Sequence, residues 1–304
     1  MLKSIIFAFT TPDYHNLQLH YYLKNILLYT LILLGTSSYS QKLLSGYILE
    51  NKTLEPLSYS TIIIENESRG TYSEIDGFFK LDTTSYGNRK ITLSHIGYKT
   101  KTLQLNSFKE KDTVFLVKEE HILNEVVIKA YSKKLHEKWF KNDSKERTFI
   151  TSPARGTTYA VLIDKHPKQK FGSFELYYLA QKSSPENKIR IKFLQLDTKG
   201  NPTDNQLIIK DLIYTLTYNS EHITIDLSYL DFIIPEEGFY IGVEFLGNKE
   251  DQVHSETTVY YTKKIRGNDT YLTTWNNRWL QVSKNIAKRS RYKNLKFSYS
   301  IFQE

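Results

Sequence analysis

The 304-residue chain contains no cysteine. Without cysteine there is no disulfide, no thiolate zinc site, no cysteine nucleophile and no lipid on an N-terminal cysteine. The sequence also lacks the G-x-S-x-G, P-loop and G-x-G-x-x-G motifs of many hydrolases and nucleotide-binding enzymes. No two histidines stand at a metal-ligand spacing such as H-x-H or H-E-x-x-H. We therefore expect no catalytic residue, no metal centre and no cofactor.

Methionine is also scarce, whereas large aromatic residues are abundant. The chain has one methionine against 23 tyrosines and 16 phenylalanines, a balance typical of strands. Its length allows about two domains, each with its own core. A formal net charge of +8 suits nucleic acid or acidic glycans as partners. No nucleic-acid motif accompanies the charge, so we expect a solvated basic surface and no nucleic-acid partner.

The first 40 residues have the features of a leader. Lys24 precedes an apolar run over residues 26–34, and small residues lead to Ser40. This order predicts a signal peptide over about 23–40, cleaved between Ser40 and Gln41. The run has about half of the ~20 apolar residues that a spanning helix needs, so a membrane anchor is the less favoured alternative. We expect export to the periplasm, the outer membrane or the medium, with no transmembrane span after cleavage.

Residues 41–118 contain short alternating runs separated by proline and glycine, the pattern of a small β-sandwich. An Asp76-Gly77 pair between two runs predicts a hairpin in which Gly77 takes a positive φ. The predicted strands cover residues 42–49, 59–64, 68–73, 78–81, 90–94, 100–105 and 113–117.

Four segments in this part of the chain resemble the carboxypeptidase-regulatory-like domain. They are residues 54–57 (LEPL), 70–79 (GTYSEIDGFF), 94–100 (SHIGYKT) and 123–130 (LNEVVIKA). The resemblance implies a seven-strand sandwich of the transthyretin type and an envelope protein of a Bacteroidetes-type bacterium. It implies no reaction, because in the carboxypeptidases the metal and the catalytic residues belong to a separate domain.

Residues 119–151 form the predicted connector. Its segment Leu123–Ala130 is similar to the one that precedes the plug and barrel of TonB-dependent transporters. Too few residues follow for that barrel, so transport itself is not implied. A polar, lysine-rich stretch over residues 131–147 predicts a short helix or an ordered linker, with few contacts between the domains on either side.

Residues 152–304 predict a second, jelly-roll-like β-sandwich, which makes the chain all-β. Eight or nine strand-like runs are separated by regular turn signals. They cover residues 157–163, 173–180, 188–196, 206–216, 222–227, 239–246, 257–262, 270–282 and 294–302.

Trp275 and Trp279 are the candidate ligand platform. In one strand they would point to the same face, and Asn276, Asn277 and Arg278 would supply hydrogen bonds to a sugar. The alternative, which we favour, is that both rings fill the sandwich core.

Several acidic residues are alternative sites. Adjacent Glu236 and Glu237 would point to opposite faces of a strand, so we assign them to a turn rather than to a glycosidase pair. One of these two carboxylates, paired across the sheet with Glu175, Glu244 or Asp226, remains an alternative for catalysis. Asp197, Asp204 and Asn205 offer oxygen ligands, so a calcium site is an alternative here. Turn formation is the preferred interpretation of these three residues.

The sequence favours a non-catalytic, exported envelope protein that acts as a binding module or scaffold for an envelope protein or glycan. The alternatives are a carbohydrate-binding protein, a glycan-active hydrolase and an accessory of TonB-dependent transport.

Overall fold

The computed structural model describes residues 21–29, 42–109, 111–119, 136–141, 150–180, 187–247, 257–263, 270–276, 278–285 and 292–303. The chain divides into two compact units, Met1–Lys42 and Leu43–Glu304. In the first unit, residues 21–29 form a helix, α1. Within the described ranges, no helix has the length and apolar character needed to cross a membrane. The predicted cleavage residues Ser40 and Gln41 lie outside the described residues.

The second unit begins with the predicted seven-strand sandwich. Alternating side chains along β1 are buried, among them Leu44 and Ile48, which pack against residues of the facing sheet such as Ile62 and Leu93. One sheet has the order β4-β1-β7, with β1 and β7 parallel, and the other has the order β3-β2-β5-β6. The strands are β1 (Leu43–Glu50), β2 (Thr61–Ile64), β3 (Gly70–Tyr72), β4 (Phe78–Asp82), β5 (Lys90–Ser94), β6 (Lys101–Gln104) and β7 (Asp112–Leu116).

The Asp-Gly turn has the predicted backbone but joins strands of different sheets. Gly77 has a φ of 80°, its N–H donates to the Glu74 carbonyl at 3.0 Å, and the Glu74 N–H donates to the Phe78 carbonyl at 2.6 Å. However, β3 pairs with β2 whereas β4 pairs with β1. The positive φ is thus confirmed, and the prediction of one continuous hairpin is wrong because the turn carries the chain across the sandwich.

The remaining strands form a second sandwich of two sheets, which confirms the all-β prediction. One sheet has the order β13-β12-β16-β10-β18-β19, with β14 also on β12; the other has the order β20-β17-β11-β21-β8, with β15 on β11 and β9 on β17. Large side chains such as Phe171, Phe193 and Phe239 fill the space between them. The strands are β8 (His136–Lys141), β9 (Ile150–Thr151), β10 (Thr158–Ile163), β11 (Lys170–Ala180), β12 (Lys188–Leu196), β13 (Pro202–Gln206), β14 (Leu212–Thr215), β15 (His222–Asp226), β16 (Phe239–Gly247), β17 (Thr257–Lys263), β18 (Thr270–Thr273), β19 (Leu280–Gln281), β20 (Tyr292–Leu295) and β21 (Phe297–Gln303), and a short helix α2 (Val282–Asn285) follows β19.

Part of the predicted connector belongs to this sandwich. Residues of β8 pair antiparallel with β21, and the ring of Phe140 stacks on Tyr299 at 5.5 Å. The prediction of a helix over these residues is therefore wrong. Phe140 is half-buried and its strand neighbours are exposed, so no apolar alternation marked the strand. The segment Leu123–Ala130 lies outside the described residues.

Two predicted strands are interrupted, and both interruptions lie at the junction of the two sandwiches. The run over residues 270–282 is broken, because β18 and β19 pair antiparallel and the chain reverses between them. The run over residues 206–216 is split between the end of β13 and the start of β14. The two connections place polar and aromatic side chains where the sandwiches meet.

Candidate binding site at the junction of the two sandwiches

A buried ionic network lies on the face of the second sandwich that meets the first. Arg190 on β12 is 3% exposed, and Glu244, its cross-strand partner on β16, is 5% exposed. Arg190 Nη1 donates to Glu244 Oε2 at 2.9 Å, and Arg190 Nε donates to Asp211 Oδ1 at 2.6 Å. Buried charges require such partners, because an unpaired ion loses its hydration without compensation.

The first sandwich completes this network. Arg190 Nη2 donates to the carbonyl of Tyr59, which precedes β2, at 2.7 Å. The hydroxyl of Tyr72, on β3, donates to Glu244 Oε1 at 3.0 Å. Lys188 Nζ donates to the Tyr59 hydroxyl at 2.7 Å. The two sandwiches are therefore not independent, contrary to the expectation of few contacts between them, and they share one compact unit.

The network keeps Glu244 ionised. Burial alone would raise the pKa of this carboxyl group, but the positive charges of Lys192 and Arg190 and the hydrogen bonds from Lys192 and Tyr72 hold its pKa at about 2. Lys192 Nζ lies 3.0 Å from Glu244 Oε1. Burial and the neighbouring carboxylate raise the pKa of Tyr72 well above its ordinary value. At neutral pH the tyrosine is thus a donor and the glutamate an acceptor.

Trp275 packs into the same junction. Its ring lies 4.8 Å from the ring of Tyr72. A Cβ at Gly70 or at Gly156 would lie 2.6 Å or 2.2 Å from atoms of the indole, so both positions need glycine for the ring to fit. Gly156 also has a φ of 82°, which side chains rarely tolerate. The Trp275 side chain therefore packs between the two sandwiches and does not belong to either core.

Trp279 lies on the other side of the chain reversal. Its indole N–H donates to Asp204 Oδ1 at 3.2 Å, and its ring packs against a small cluster that includes Leu194 and Tyr240. Burial raises the pKa of Asp204, and the charge of Lys192 and the indole hydrogen bond oppose that rise. The hydrogen bond to Asp204 fixes the orientation of the Trp279 ring, which is half-buried.

The predicted platform is corrected in its geometry. The two tryptophans do not share one strand face, because Trp275 and Asn276 form a turn after β18, as expected of a segment rich in asparagine. Both nevertheless line one cleft. Arg278 is exposed, and its backbone N–H donates to Asn276 Oδ1 at 3.2 Å. Asn277 lies outside the described residues.

The cleft between the sandwiches encloses about 630 Å³. This value falls within the range of about 300–1,000 Å³ that is usual for small-molecule sites. Gln206, at the end of β13, lines the cleft, and its side-chain oxygen is buried with no hydrogen-bond partner. Lining residues from the first sandwich include Thr61, Thr92, Ser94, His95 and Tyr98; those from the second include Lys192, Asp204, Gln206, Trp275 and Trp279.

His95 is a junction residue whose sequence context indicates only a place in a sheet. Its Nδ1 lies 3.0 Å from the Ser60 hydroxyl, and its ring contacts the edge of Tyr98 at 5.2 Å. Burial lowers its pKa to about 4; Asp211 opposes this shift and Arg190 adds to it. Nothing in the sequence distinguishes this histidine, because the charged groups that act on it, Asp211 and Arg190, belong to the second sandwich.

We predict that His95 makes the protein less stable as the pH falls from about 6.5 to about 4. In that window the unfolded chain binds the proton and the folded chain does not, so stability is lost on acidification. The expected loss reaches about 2 kcal/mol. Urea denaturation at a series of pH values would measure it, and His95→Gln should flatten the profile. Glu244 acts at lower pH, since its contribution is lost only as the pH falls below about 4.5. An unchanged profile in the variant would contradict the assignment.

The other acidic candidates have local partners. Glu236 and Glu237 lie in a turn, as predicted. Glu175 Oε2 accepts from the Thr224 hydroxyl at 3.2 Å, and Asp226 accepts from the Ser228 N–H at 2.9 Å. These bonds explain the carboxylates as parts of the sandwich.

Of the three candidate calcium ligands, Asp197 has the predicted turn role, whereas Asp204 and Asn205 lie in strand β13. Asp197 Oδ1 accepts from the Lys199 and Asn201 N–H groups, each at 2.8 Å. Asp204 accepts from Trp279, and the Asn205 N–H donates to Thr203. In the part of the chain that the structure describes, no group of three or more histidine or acidic residues is arranged to hold a metal ion.

The first sandwich coincides with a known domain. Residues 44–128 match a family model described as the CarboxypepD_reg-like domain, which confirms the resemblance for this part of the chain. That domain is of a regulatory, non-catalytic type. The protein thus combines a CarboxypepD_reg-like domain with a second β-sandwich.

Whole-chain comparisons add little to this assignment. No curated protein matches the chain. Solved structures that match it include infectious bursal disease virus Gx strain (10% identity, 86% of this chain and 62% of that chain, TM-score 0.21). They also include the VP2 subviral particle of that virus (10%, 86%, 62%, TM-score 0.23) and its T=1 particles (9%, 86%, 61%, TM-score 0.23). The chain spans about three fifths of these structures, and TM-scores this low do not establish a shared fold.

Proposed function

We propose that the protein is an exported, non-catalytic binding module of the cell envelope whose ligand occupies the cleft between its two sandwiches. The observation that carries this proposal is the buried contact of Arg190 and Glu244 with Tyr59 and Tyr72, which fixes both walls of the cleft. A cleft with fixed walls is preorganised, so binding requires little ordering of the protein.

The electrostatics of the cleft favour binding over hydrolysis. Glycoside hydrolysis needs a carboxylic acid that donates a proton and a second carboxylate nearby. Glu244, with a pKa of about 2, is a poor proton donor near neutral pH. Burial raises the pKa of Asp204, but Lys192 and the hydrogen bond from the Trp279 indole favour its ionised form. Both carboxylates therefore have roles in positioning their neighbours.

Export rests on the leader. Lys24, the apolar residues 26–34 and the small residues before Gln41 are the features of a secreted precursor. The absence of cysteine removes any dependence on the redox state of the compartment. An envelope location also agrees with the family resemblance of the first sandwich.

Fluorine NMR of protein labelled with 5-fluorotryptophan would test whether the cleft binds ligands. The chain has three tryptophans, so three resonances are expected. Two report on the cleft, and Trp139, on strand β8 of the other sheet, is an internal control. Screening a library of small polar compounds should give ligands that shift the Trp275 and Trp279 resonances and leave Trp139 in place. A library in which every hit shifts only Trp139, or in which nothing binds, would refute the proposal.

A further inference from the structure

Many of the residues that line the cleft carry a hydroxyl group. They include Thr61, Thr92, Ser94, Thr100, Thr158 and Thr274. A hydroxyl side chain can both donate and accept a hydrogen bond. A lining of this kind suits a ligand whose own groups are both donors and acceptors.

One acceptor in the cleft has capacity for a ligand. Asp204 accepts one hydrogen bond from Trp279, whereas a carboxylate can accept about four. The cleft therefore calls for a ligand that donates hydrogen bonds on the β13 side.

The charges of the cleft disfavour anionic ligands. Its cations, Arg190 and Lys192, are already paired with carboxylates. Three carboxylates, those of Glu119, Asp204 and Glu244, line the cleft against two cations. The local balance is negative although the whole chain carries +8. The overall basic charge is thus no guide to the ligand of this site.

Cationic ligands meet a different obstacle. Lys192 Nζ, a positive charge, lies within the cleft beside Glu244, so an amine would be repelled by it and would compete with it for the same carboxylate. An uncharged ligand avoids both penalties. Trp279 adds a half-buried ring held in one orientation, and such a ring can cover an apolar face of a ligand that has polar edges.

We infer that the cleft takes an uncharged, hydroxyl-rich ligand, a saccharide, packed against Trp279 with its hydroxyls hydrogen-bonded to Asp204. This inference rests on the proposed function, because it names the chemical class of the ligand for the same cleft. It disfavours acidic glycans as ligands of the cleft, since an acidic sugar would place a carboxylate among carboxylates.

The test uses the 5-fluorotryptophan-labelled protein and three sets of probes. Neutral gluco-, manno- and xylo-oligosaccharides represent the inferred class, oligogalacturonate an anionic saccharide, and spermidine a cation. We expect a neutral oligosaccharide to shift the Trp279 resonance, and the other two probes to leave it unchanged. Trp279→Ala, followed through the Trp275 resonance, and Asp204→Asn should each weaken that binding by about tenfold or more. Trp139→Ala, on the other sheet, should leave the affinity unchanged.

The outcomes separate the ligand class from the site. Asp204→Asn keeps the shape of the side chain, so it tests the inference even if Trp279→Ala does not fold. If only oligogalacturonate or spermidine shifts the cleft resonances, the inference of a neutral saccharide ligand is refuted, and the proposal that the cleft binds a ligand stands. The inference is also refuted if no neutral oligosaccharide shifts the Trp279 resonance. It is refuted as well if a neutral oligosaccharide binds with an affinity that neither substitution changes.

Discussion

Replacing Arg190 with methionine should lower the free energy of unfolding by about 3–5 kcal/mol. The substitution leaves Glu244 ionised and buried and removes a donor from Asp211 and from the Tyr59 carbonyl. The penalty is large because the two carboxylates lose the cation that they share and Glu244 keeps only Lys192 and Tyr72, whereas an intact buried pair itself contributes little relative to apolar residues. Chemical denaturation followed by circular dichroism would measure it.

An exposed ion pair provides the control for this substitution. Arg69 pairs with Asp82 at 3.1 Å, and both side chains are largely accessible. Arg69→Met should therefore cost less than about 1 kcal/mol. Adding Glu244→Gln to Arg190→Met should restore part of the lost stability, because the buried glutamate charge is then removed as well. A cost at Arg190 as small as that at Arg69 would show that the network does not hold the junction.

The same substitution should change the cooperativity of unfolding. Arg190 is bonded to the first sandwich and to both of its partners in the second. The intact protein should therefore unfold in one transition, and the variant should show the two sandwiches unfolding separately. A junction that opens would also lose its cleft, which links the stability of the network to binding.

Strands with a clear alternation were predictable from the sequence, and those without it were not. Both β5 (Lys90–Ser94) and β12 (Lys188–Leu196) have the predicted bounds, because their apolar residues alternate or border clear turns. Strand β8 packs by one half-buried residue, Phe140, so its sequence has no period to detect. The sequence did not indicate the chain reversal between β18 and β19, because Trp275 and Trp279, which lie in it, are of a residue type common in strands.

The junction could not be predicted, because the sequence does not indicate which outer sheet face of the second sandwich the first sandwich covers. The alternation of β12 assigns Arg190 to the outer face of its sheet, and the first sandwich covers that face. One signal was present in the sequence of β16, where Glu244 stands in the otherwise apolar run from Phe239 to Leu246. All eight residues of this run are buried. A charged residue such as Glu244 within an otherwise apolar run indicates a buried partner. The identity of that partner required the tertiary structure.

Replacing Gly77 with alanine should also cause a large loss of stability, about 2–5 kcal/mol. The residue has a φ of 80°, which an L side chain adopts only with strain. A Cβ at this position would also lie 2.6 Å from the Ile48 carbonyl oxygen and 3.2 Å from Pro56 Cβ. The carbonyl belongs to β1 at the centre of its sheet, so it has little freedom to move. Valine should be worse than alanine, because its branched side chain adds to both effects.

Gly200 separates the two contributions. It has the same φ of 80°, but no atom lies within 4 Å of a Cβ placed there. Gly200→Ala should therefore cost only the backbone strain, about 1–2 kcal/mol, and the difference between the two variants isolates the steric clash. Denaturant midpoints of both variants would give that difference. Equal losses would mean that β1 yields to the added methyl group, so the turn that carries the chain between the two sheets of the first sandwich would be held by its φ alone. A larger loss at Gly77 would show that close packing of this turn against β1 fixes how the two sheets are joined.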